Sequence, residues 1–456
     1  MGLALAFVLV GAGMERPAAA VAGITLWTAS WWVLEPIPIP ATSLIPFAAL
    51  PLAGVLPHQE VATAYGHHLI LLLLGGFILS AAMESSGSHR RVALMMVRLF
   101  GGSNAPRLVL GFMVASAVLS MWISNTATTL MLLPVALAVL DQVGEERPRL
   151  APPLLLGIAF AANLGGVGTP VGTPPNVIFM ANYEQATGES WSFLRWMSIG
   201  VPVVALFLPL MWLRLVRGLR LRQELSVPHP GPWSTAEVRV LTIFAVTGLL
   251  WVTRGEPFGG WNALIQALWG IEFAGRATLI GDSTVALAMV VVVFLTSDGH
   301  GKPILTWERA VKVPWGLLLL FGGGMAIGKG FVASGLSEDI GALLQGLTSL
   351  HVVLMIAGLC LVVTFLTEVT SNTATTNILM PILAAGAVAA QVPPYLLMVP
   401  AALSASCAFM LPVATAPNAI VFGTGEVETR RMMREGLLLN LIGAAAITGV
   451  CYWSLG

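Results

Sequence analysis

MWISNTATTLMLLP (121–134) and EVTSNTATTNILMP (368–381) place the tripeptide Ser-Asn-Thr twice in this chain, 247 positions apart, each copy inside a long apolar stretch. A polar SNTATT in hydrocarbon costs several kcal/mol per unsatisfied group unless it meets protein, water or a ligand. Two copies of one such device predict a binding site between two halves of a membrane protein.

Composition supports the membrane setting. Of 456 residues, 57% are hydrophobic and 10% charged, against about 25% charged in ordinary soluble proteins. Several segments exceed the roughly 18 apolar residues needed to cross a bilayer. The formal net charge of zero gives no reason to expect nucleic acid. MGLALAFVLV lacks a basic leader and reads as part of the first span. Cys360, Cys407 and Cys451 lie in apolar runs and read as small core residues, not disulfides. The arginines at 214, 217, 220 and 222, with Arg90-Arg91 and Arg430-Arg431, read as stop-transfer charge marking cytoplasmic ends.

Further matches surround the two tripeptides. LILLLLGGF (69–77) resembles GLLLLFGGG (316–324), with Gly75 matching Gly322 at the same offset of 247. Downstream, Gly172-Thr173-Pro174-Pro175-Asn176 matches Ala414-Thr415-Ala416-Pro417-Asn418 at 242. Three features in one order at nearly constant spacing define a duplicated unit. Between the copies lie three candidate spans (198–216, 238–252, 283–296) and a partial fourth (261–273). An odd number inverts the second copy, as is common in secondary transporters. The organisation expected is 1–56, N-terminal scaffold helices; 57–180, first repeat; 181–304, connecting helices and cytoplasmic linker; 305–425, second repeat; 426–456, C-terminal helix.

Each repeat predicts a hairpin and a broken helix. Segment 108–140 has no charged residue and carries Ser-Asn-Thr at its centre, with arms of about 15 residues, or roughly 22 Å as helix, short of the ~30 Å core. A re-entrant hairpin with Ser-Asn-Thr at its tip fits this, and 353–390 has the same layout. Segment 153–180 is interrupted by VGTPVGTPPN, and 395–424 breaks around Pro412 and Pro417; such stretches do not continue a helix.

Hairpin tips and helix breaks expose N–H groups suited to a carboxylate and C=O groups suited to a small cation. Hydroxyls and amides complement both. Between His351 and Gly425 the only charged residue is Glu368, so a dianion there finds no Arg or Lys in these segments, and bound cations would resolve the deficit. Glu368 reads either as a proton carrier or as a hydrogen-bonded brace behind the second ion site; Met121 stands at the equivalent position. The glycine runs read as close-packing sites, Lys329 as a snorkelling cation, Glu35 as interfacial or capping, and His67-His68 as interfacial without a second ligand pair. A membrane hydrolase lacks its constellation: the motif segments hold no His or Asp, HExxH is absent, and Asp282 has no evident partner. The chain is not expected to be an enzyme.

These motifs resemble the divalent anion/sodium symporter family, the carriers of dicarboxylates, citrate and sulfate. The paired Ser-Asn-Thr, ASCAFMLPVATAPNAIV (405–421) and WWVLEPIPIPATSLIPFAALPLAGVL (31–56) carry the likeness, which runs from about 25 to 450. It implies an all-α polytopic protein of the cytoplasmic membrane, an inverted-repeat homodimer with two re-entrant hairpins, two broken helices, a scaffold and an elevator-type transport domain. It implies a co-transported Na⁺ at Ser120, Ser124, Asn125 and the Gly172 carbonyl, and another at Thr367, Ser371, Asn372 and the Ala414 carbonyl. A C4 dicarboxylate would meet Asn125, Thr126, Thr173, Pro174, Asn372, Thr373, Thr415 and Ala416. Many members have Pro-Pro where this chain has Ala416-Pro417. Electroneutral exchange, proton coupling, and citrate, tartrate or sulfate as cargo are the alternatives.

Overall fold

A computed structural model describes residues 2–101, 104–220, 228–255, 259–269, 280–339, 351–389 and 391–455. Arg222, part of the polar stretch 223–237 and the end of 261–273 lie outside them. Among the described residues the architecture is all-helical, apart from one bridge between Ser297 and Pro303. Among the described residues seven helices are long and apolar enough to cross a membrane.

Both hairpins form. In the first, Ala105–Ser120 and Asn125–Leu140 flank a tip at 121–124; in the second, Val352–Thr367 and Asn372–Ala389 flank 368–371. The local cause is a serine cap. Ser124 Oγ accepts from Ala127 N–H at 3.1 Å, and Ser371 Oγ from Ala374 N–H at 3.5 Å, so each Ser-Asn-Thr starts a helix rather than extending one. Pro134 and Pro381 lie within the second arms without ending them.

The broken helices also form. Arg147–Gly165 continues into a 3₁₀ turn at Gly166–Gly168 and resumes as Pro174–Thr187; Tyr395–Ala405 resumes as Ala416–Phe422. The prolines expected to interrupt these spans mostly restart them: Pro174, Pro175 and Pro417 stand in the first turn of the resumed helices, where a missing N–H is harmless. Helix Arg147–Gly165 is buried on every side from Leu150 onward, as expected for a helix apolar all round at the centre of a bundle.

The halves interleave. Half-helix Pro174–Thr187 packs on the second hairpin's arm Asn372–Ala389, and half-helix Ala416–Phe422 packs on the first hairpin's arm Asn125–Leu140. Outside this unit, His68–Ser86 packs on Asp282–Leu295 and Thr235–Val252, and Trp315–Ser334 on His58–Tyr65 and Arg16–Leu34. The glycine runs are close-packing sites: a Cβ at Gly322 would fall 2.2 Å from the Tyr65 ring, and one at Gly75 2.7 Å from the Ala286 Cβ.

Several details differ from the sequence reading. MGLALAFVLV is not part of the first span; Gly2–Gly11 is a separate helix folded back on Arg16–Leu34, because the turn at 12–15 intervenes. Arg91 is more than stop-transfer charge: it is buried, pairs with Glu237 at 2.9 Å, and donates to the carbonyls of Pro230, Gly231 and Pro232. Asp282 has a partner after all. Arg254 Nε lies 2.7 Å from its carboxylate, which also accepts from Phe193 N–H; the partners are 28 residues apart and leave no local pattern. Lys329 donates to the Glu60 carbonyl at 3.3 Å and to the Thr63 hydroxyl. Glu35 caps Arg16–Leu34 in left-handed backbone at φ 47°. The three cysteines are free and buried.

Candidate functional site

Both hairpin tips and both helix breaks open onto one cavity of about 1100 Å³. Of the residues singled out from sequence, Ser124, Asn125, Thr126, Gly172, Thr173 and Pro174 line it from the first half. Ser371, Asn372, Thr373, Ala414, Thr415 and Ala416 line it from the second. Ser120 and Thr367 stand behind the wall, fully buried. They act on the lining through matched bonds: Ser120 Oγ donates to Asn125 Oδ1 at 2.5 Å, and Thr367 Oγ1 to Asn372 Oδ1 at 2.6 Å. Each asparagine's own carbonyl then accepts a hydroxyl one turn on, from Thr129 at 2.9 Å and Thr376 at 2.7 Å. The pairs 120/367, 125/372 and 129/376 all keep the 247-residue offset.

The breaks carry a second matched device, which the sequence reading missed as a structural role. Asn176 Nδ2 donates to the carbonyls of Gly166 (2.9 Å) and Thr169 (2.7 Å); Asn418 Nδ2 donates to those of Ala408 and Leu411, both at 3.1 Å. Each amide thus bridges two carbonyls of the break, and in each pair one of them (Thr169, Leu411) also accepts a backbone N–H, from Gly172 and Ala414. The motif Asn is therefore a brace for the break, one turn behind the cavity wall.

Oxygen atoms gather at the first tip. A Cβ built on Gly166 would lie 2.9 Å from Asn125 Oδ1 and 3.2 Å from the Gly172 carbonyl oxygen, and one on Gly172 would lie 2.4 Å from the Gly166 carbonyl. Only glycine permits this approach, which leaves Asn125 Oδ1 and the Gly172 carbonyl oxygen beside the same point at Gly166, with the Ser120 hydroxyl bonded to that Asn125 oxygen. At the second tip, Thr367 Oγ1 also reaches the Ala405 carbonyl at 2.9 Å. A set of hydroxyl, amide and carbonyl oxygens suits a hard cation.

Four helix starts converge on the cavity, at Asn125, Pro174, Asn372 and Ala416. At about half an elementary charge each, their dipoles together approach two positive charges facing the space. The expectation that a dianion meets no Arg or Lys holds for the motif segments but not for the whole cavity. Arg309 and Lys312, exposed residues just before helix Trp315–Ser334, line it too, with Glu35 and Glu84. Their distance in sequence from the tips hid them.

Asn163 was also missed. It lines the cavity, donates to Thr415 Oγ1 at 2.9 Å and Asn418 Oδ1 at 3.2 Å, and so ties the first broken helix to the second. A lone amide in the otherwise apolar run 150–164 was the available signal. Trp122, at the first tip, stacks on Trp251 with ring centroids 6.3 Å apart, seating the tip on the connecting helices.

Glu368 behaves as a brace. It is 3% exposed, and its carboxylate accepts from the N–H groups of Phe409, Met410 and Leu411 at 2.7, 2.9 and 3.0 Å and from Asn440 Nδ2 at 2.7 Å.

Comparison with known proteins agrees with this architecture. The family model described as citrate transporter matches residues 29–397. The sodium-dependent dicarboxylate transporter SdcS of Staphylococcus saprophyticus is 40% identical over 461 residues, covering 95% of this chain and 85% of the relative. The chain belongs to the divalent anion/sodium symporter family. It is a multi-pass membrane transporter of that family, not an enzyme. SdcS of Staphylococcus aureus, another relative, is 39% identical over 458 residues, with the same coverage of 95% and 85%. Two solved transporters share the fold at 13% identity. YdaH of Alcanivorax borkumensis has a TM-score of 0.56 over 96% of this chain and 98% of its own. MtrF of Neisseria gonorrhoeae has 0.57 over 93% and 97%.

Proposed function

We propose that this family member is a sodium-coupled symporter of C4 dicarboxylates of the succinate, malate and fumarate class, working in the cytoplasmic membrane as a homodimer. The observation that carries the reading is the convergence of both Ser-Asn-Thr tips and both broken helices on one cavity. Helix starts there complement carboxylates, and the oxygen-only sets at Ser120, Ser124, Asn125 and Gly172, and at Thr367, Ser371, Asn372 and Ala414, complement Na⁺. Thr126, Thr173, Pro174, Thr373, Thr415 and Ala416 complete the anion's surroundings, with Arg309 and Lys312 further along the wall. The relatives at 39–40% identity are named sodium-dependent dicarboxylate transporters, which supports both cargo and coupling. Sodium bound beside a dianion also lowers the cost of holding charge in a low-dielectric site.

Alternating access would come from an elevator movement of hairpins and broken helices against a scaffold drawn from 1–56, the long helices of each repeat and the connecting segment 181–304. Of the four described helices between the repeats, Phe193–Leu215, Thr235–Val252 and Asp282–Leu295 would cross and the ten-residue Gly260–Trp269 would be too short to, an odd number that would invert the second repeat relative to the first. Citrate is the second reading, favoured by the family description and by Ala416 on the cavity wall.

Labelled succinate uptake into proteoliposomes under inward Na⁺, H⁺ or no gradient tests this. Na⁺-dependent uptake is expected, falling about 100-fold or more in Asn125→Ala and Asn372→Ala, since each change removes a proposed ion ligand and a substrate contact. Uptake indifferent to Na⁺ but stimulated by internal dicarboxylate would replace symport with exchange. Uptake of citrate in place of succinate would select the second reading.

A further inference from the structure

His67 and His68 close the turn between His58–Tyr65 and His68–Ser86. His67 is the N-cap of the second helix, in extended backbone at φ −64° and ψ 141°. The two imidazole centroids lie 4.4 Å apart with the rings tilted by 32°. Glu184, from the last turn of half-helix Pro174–Thr187, meets them. His68 Nε2 lies 3.0 Å from one of its carboxylate oxygens and 3.2 Å from the other. One ligand atom from each of the three residues fits within 4.8 Å of the others.

That spacing has a chemical meaning. Ligand atoms about 2.0–2.2 Å from a tetrahedral zinc ion are roughly 3.3–3.5 Å from one another. The His68–Glu184 pair is already close to that separation, and a small side-chain rotation brings in His67. Its Nδ1 is engaged only by a long 3.4 Å contact from Leu69 N–H, which a metal bond would replace. The His68 and Glu184 side chains are 45% and 26% exposed, so protein atoms leave the site open to an ion and a further ligand.

We infer that His67, His68 and Glu184 form a binding site for a divalent transition-metal ion of the zinc class. Two imidazoles and one carboxylate suit Zn²⁺, Cu²⁺, Ni²⁺ or Co²⁺, and suit Na⁺ or Mg²⁺ poorly. The positive charge of Lys329 acts on His67 and opposes the ion, and the Glu184 carboxylate offsets it. The ion would cross-link helix His68–Ser86 to the half-helix whose first residues line the cavity. Where transport requires those helices to move apart, the ion holds them in the arrangement seen; this consequence rests on the elevator reading, whereas the site does not.

The test separates the two. Full-length protein, stripped with chelator, is titrated with Zn²⁺ in competition with a fluorescent zinc indicator, alongside His68→Ala, Glu184→Gln and the double variant His67→Ala/His68→Ala. One Zn²⁺ per chain at micromolar concentration is expected, with affinity reduced roughly tenfold or more in each variant. Size-exclusion profiles of Glu184→Gln, the most conservative change, verify folding. Absence of stoichiometric binding, or equal affinity in all variants, overturns the site. In the second arm, micromolar Zn²⁺ should block succinate uptake reversibly, and the variants, each scaled to its own uptake in chelator, should escape. Binding without inhibition keeps the site and overturns relative motion of the two helices.

Discussion

The two halves of the molecule fasten hairpin tip to broken helix with bonds that run the same way, from break to tip, but end on different acceptors. In the first half, the Thr169 hydroxyl on the break donates to the Met121 carbonyl at the tip. In the second, the tip's acceptor is a side-chain carboxylate instead of a backbone carbonyl: Glu368, counterpart of Met121, takes three backbone N–H groups of the break and the Asn440 amide. Leu411, counterpart of Thr169, contributes only its backbone. The backbone of the breaks explains the difference. Residues 166–168 keep a 3₁₀ turn, whereas 408–410 are irregular, so consecutive N–H groups point away from any helical partner and need an acceptor. A duplicated fold has solved one junction twice, once with a neutral bond and once with a buried charge.

Removing the charge is the harshest way to break that comparison. Glu368→Ala strands four donors, those of Phe409 and Asn440 buried and those of Met410 and Leu411 partly so, at about 1–3 kcal/mol for each buried one, so little folded protein is expected on size-exclusion, whereas Met121→Ala should leave a monodisperse peak. Glu368→Gln keeps the volume but turns an amide NH₂ toward donors, and its melting temperature should fall clearly below wild type. A fully stable Glu368→Gln whose only change is the pH dependence of uptake would restore the proton-carrier reading and remove the brace.

The asparagines of the breaks give a finer contrast. Asn176 and Asn418 both bind two carbonyls through Nδ2, but Asn418 Oδ1 also accepts from Asn163 while Asn176 Oδ1 is buried without a partner. Asn418→Ala should therefore destabilise by about 1 kcal/mol more than Asn176→Ala, read as the difference between their thermal unfolding curves. Equal losses would mean that Asn163 contributes nothing to the second break.

How much of this was legible in the sequence follows from range. The hairpins, breaks and cavity lining were readable because each is local: a serine cap, a polar centre in an apolar run, and proline with glycine at a fixed offset. Tertiary partners were not. The Asp282–Arg254 pair, the Arg91 tether, Glu184 beside His68 and the Arg309–Lys312 wall join residues whose spacing carries no periodic signal. Duplication helped only where both copies kept the residue, so Asn163, facing Ala405 at the matching position, was invisible to it. Glu368 was visible as an oddity, but its choice between proton carrier and brace depended on where the N–H groups at 409–411 point.

The smallest effect expected is at Thr169, and it is the sharpest test of the contrast between a carbonyl and a carboxylate acceptor. Thr169→Val preserves shape while deleting the hydroxyl, leaving the Met121 carbonyl without its donor at the tip of a hairpin already seated by the Trp122–Trp251 stack. Loss of one neutral bond should cost about 1 kcal/mol, a small drop in melting temperature, against the near-complete loss expected for Glu368→Ala. If the two junctions were energetically equivalent, Thr169→Val would be as damaging as removing the carboxylate. If the first junction rested on the aromatic stack alone, Thr169→Val would match wild type and Trp122→Ala would carry the whole effect. Only an intermediate, measurable loss fits a tip held by one hydroxyl where its twin is held by a charge.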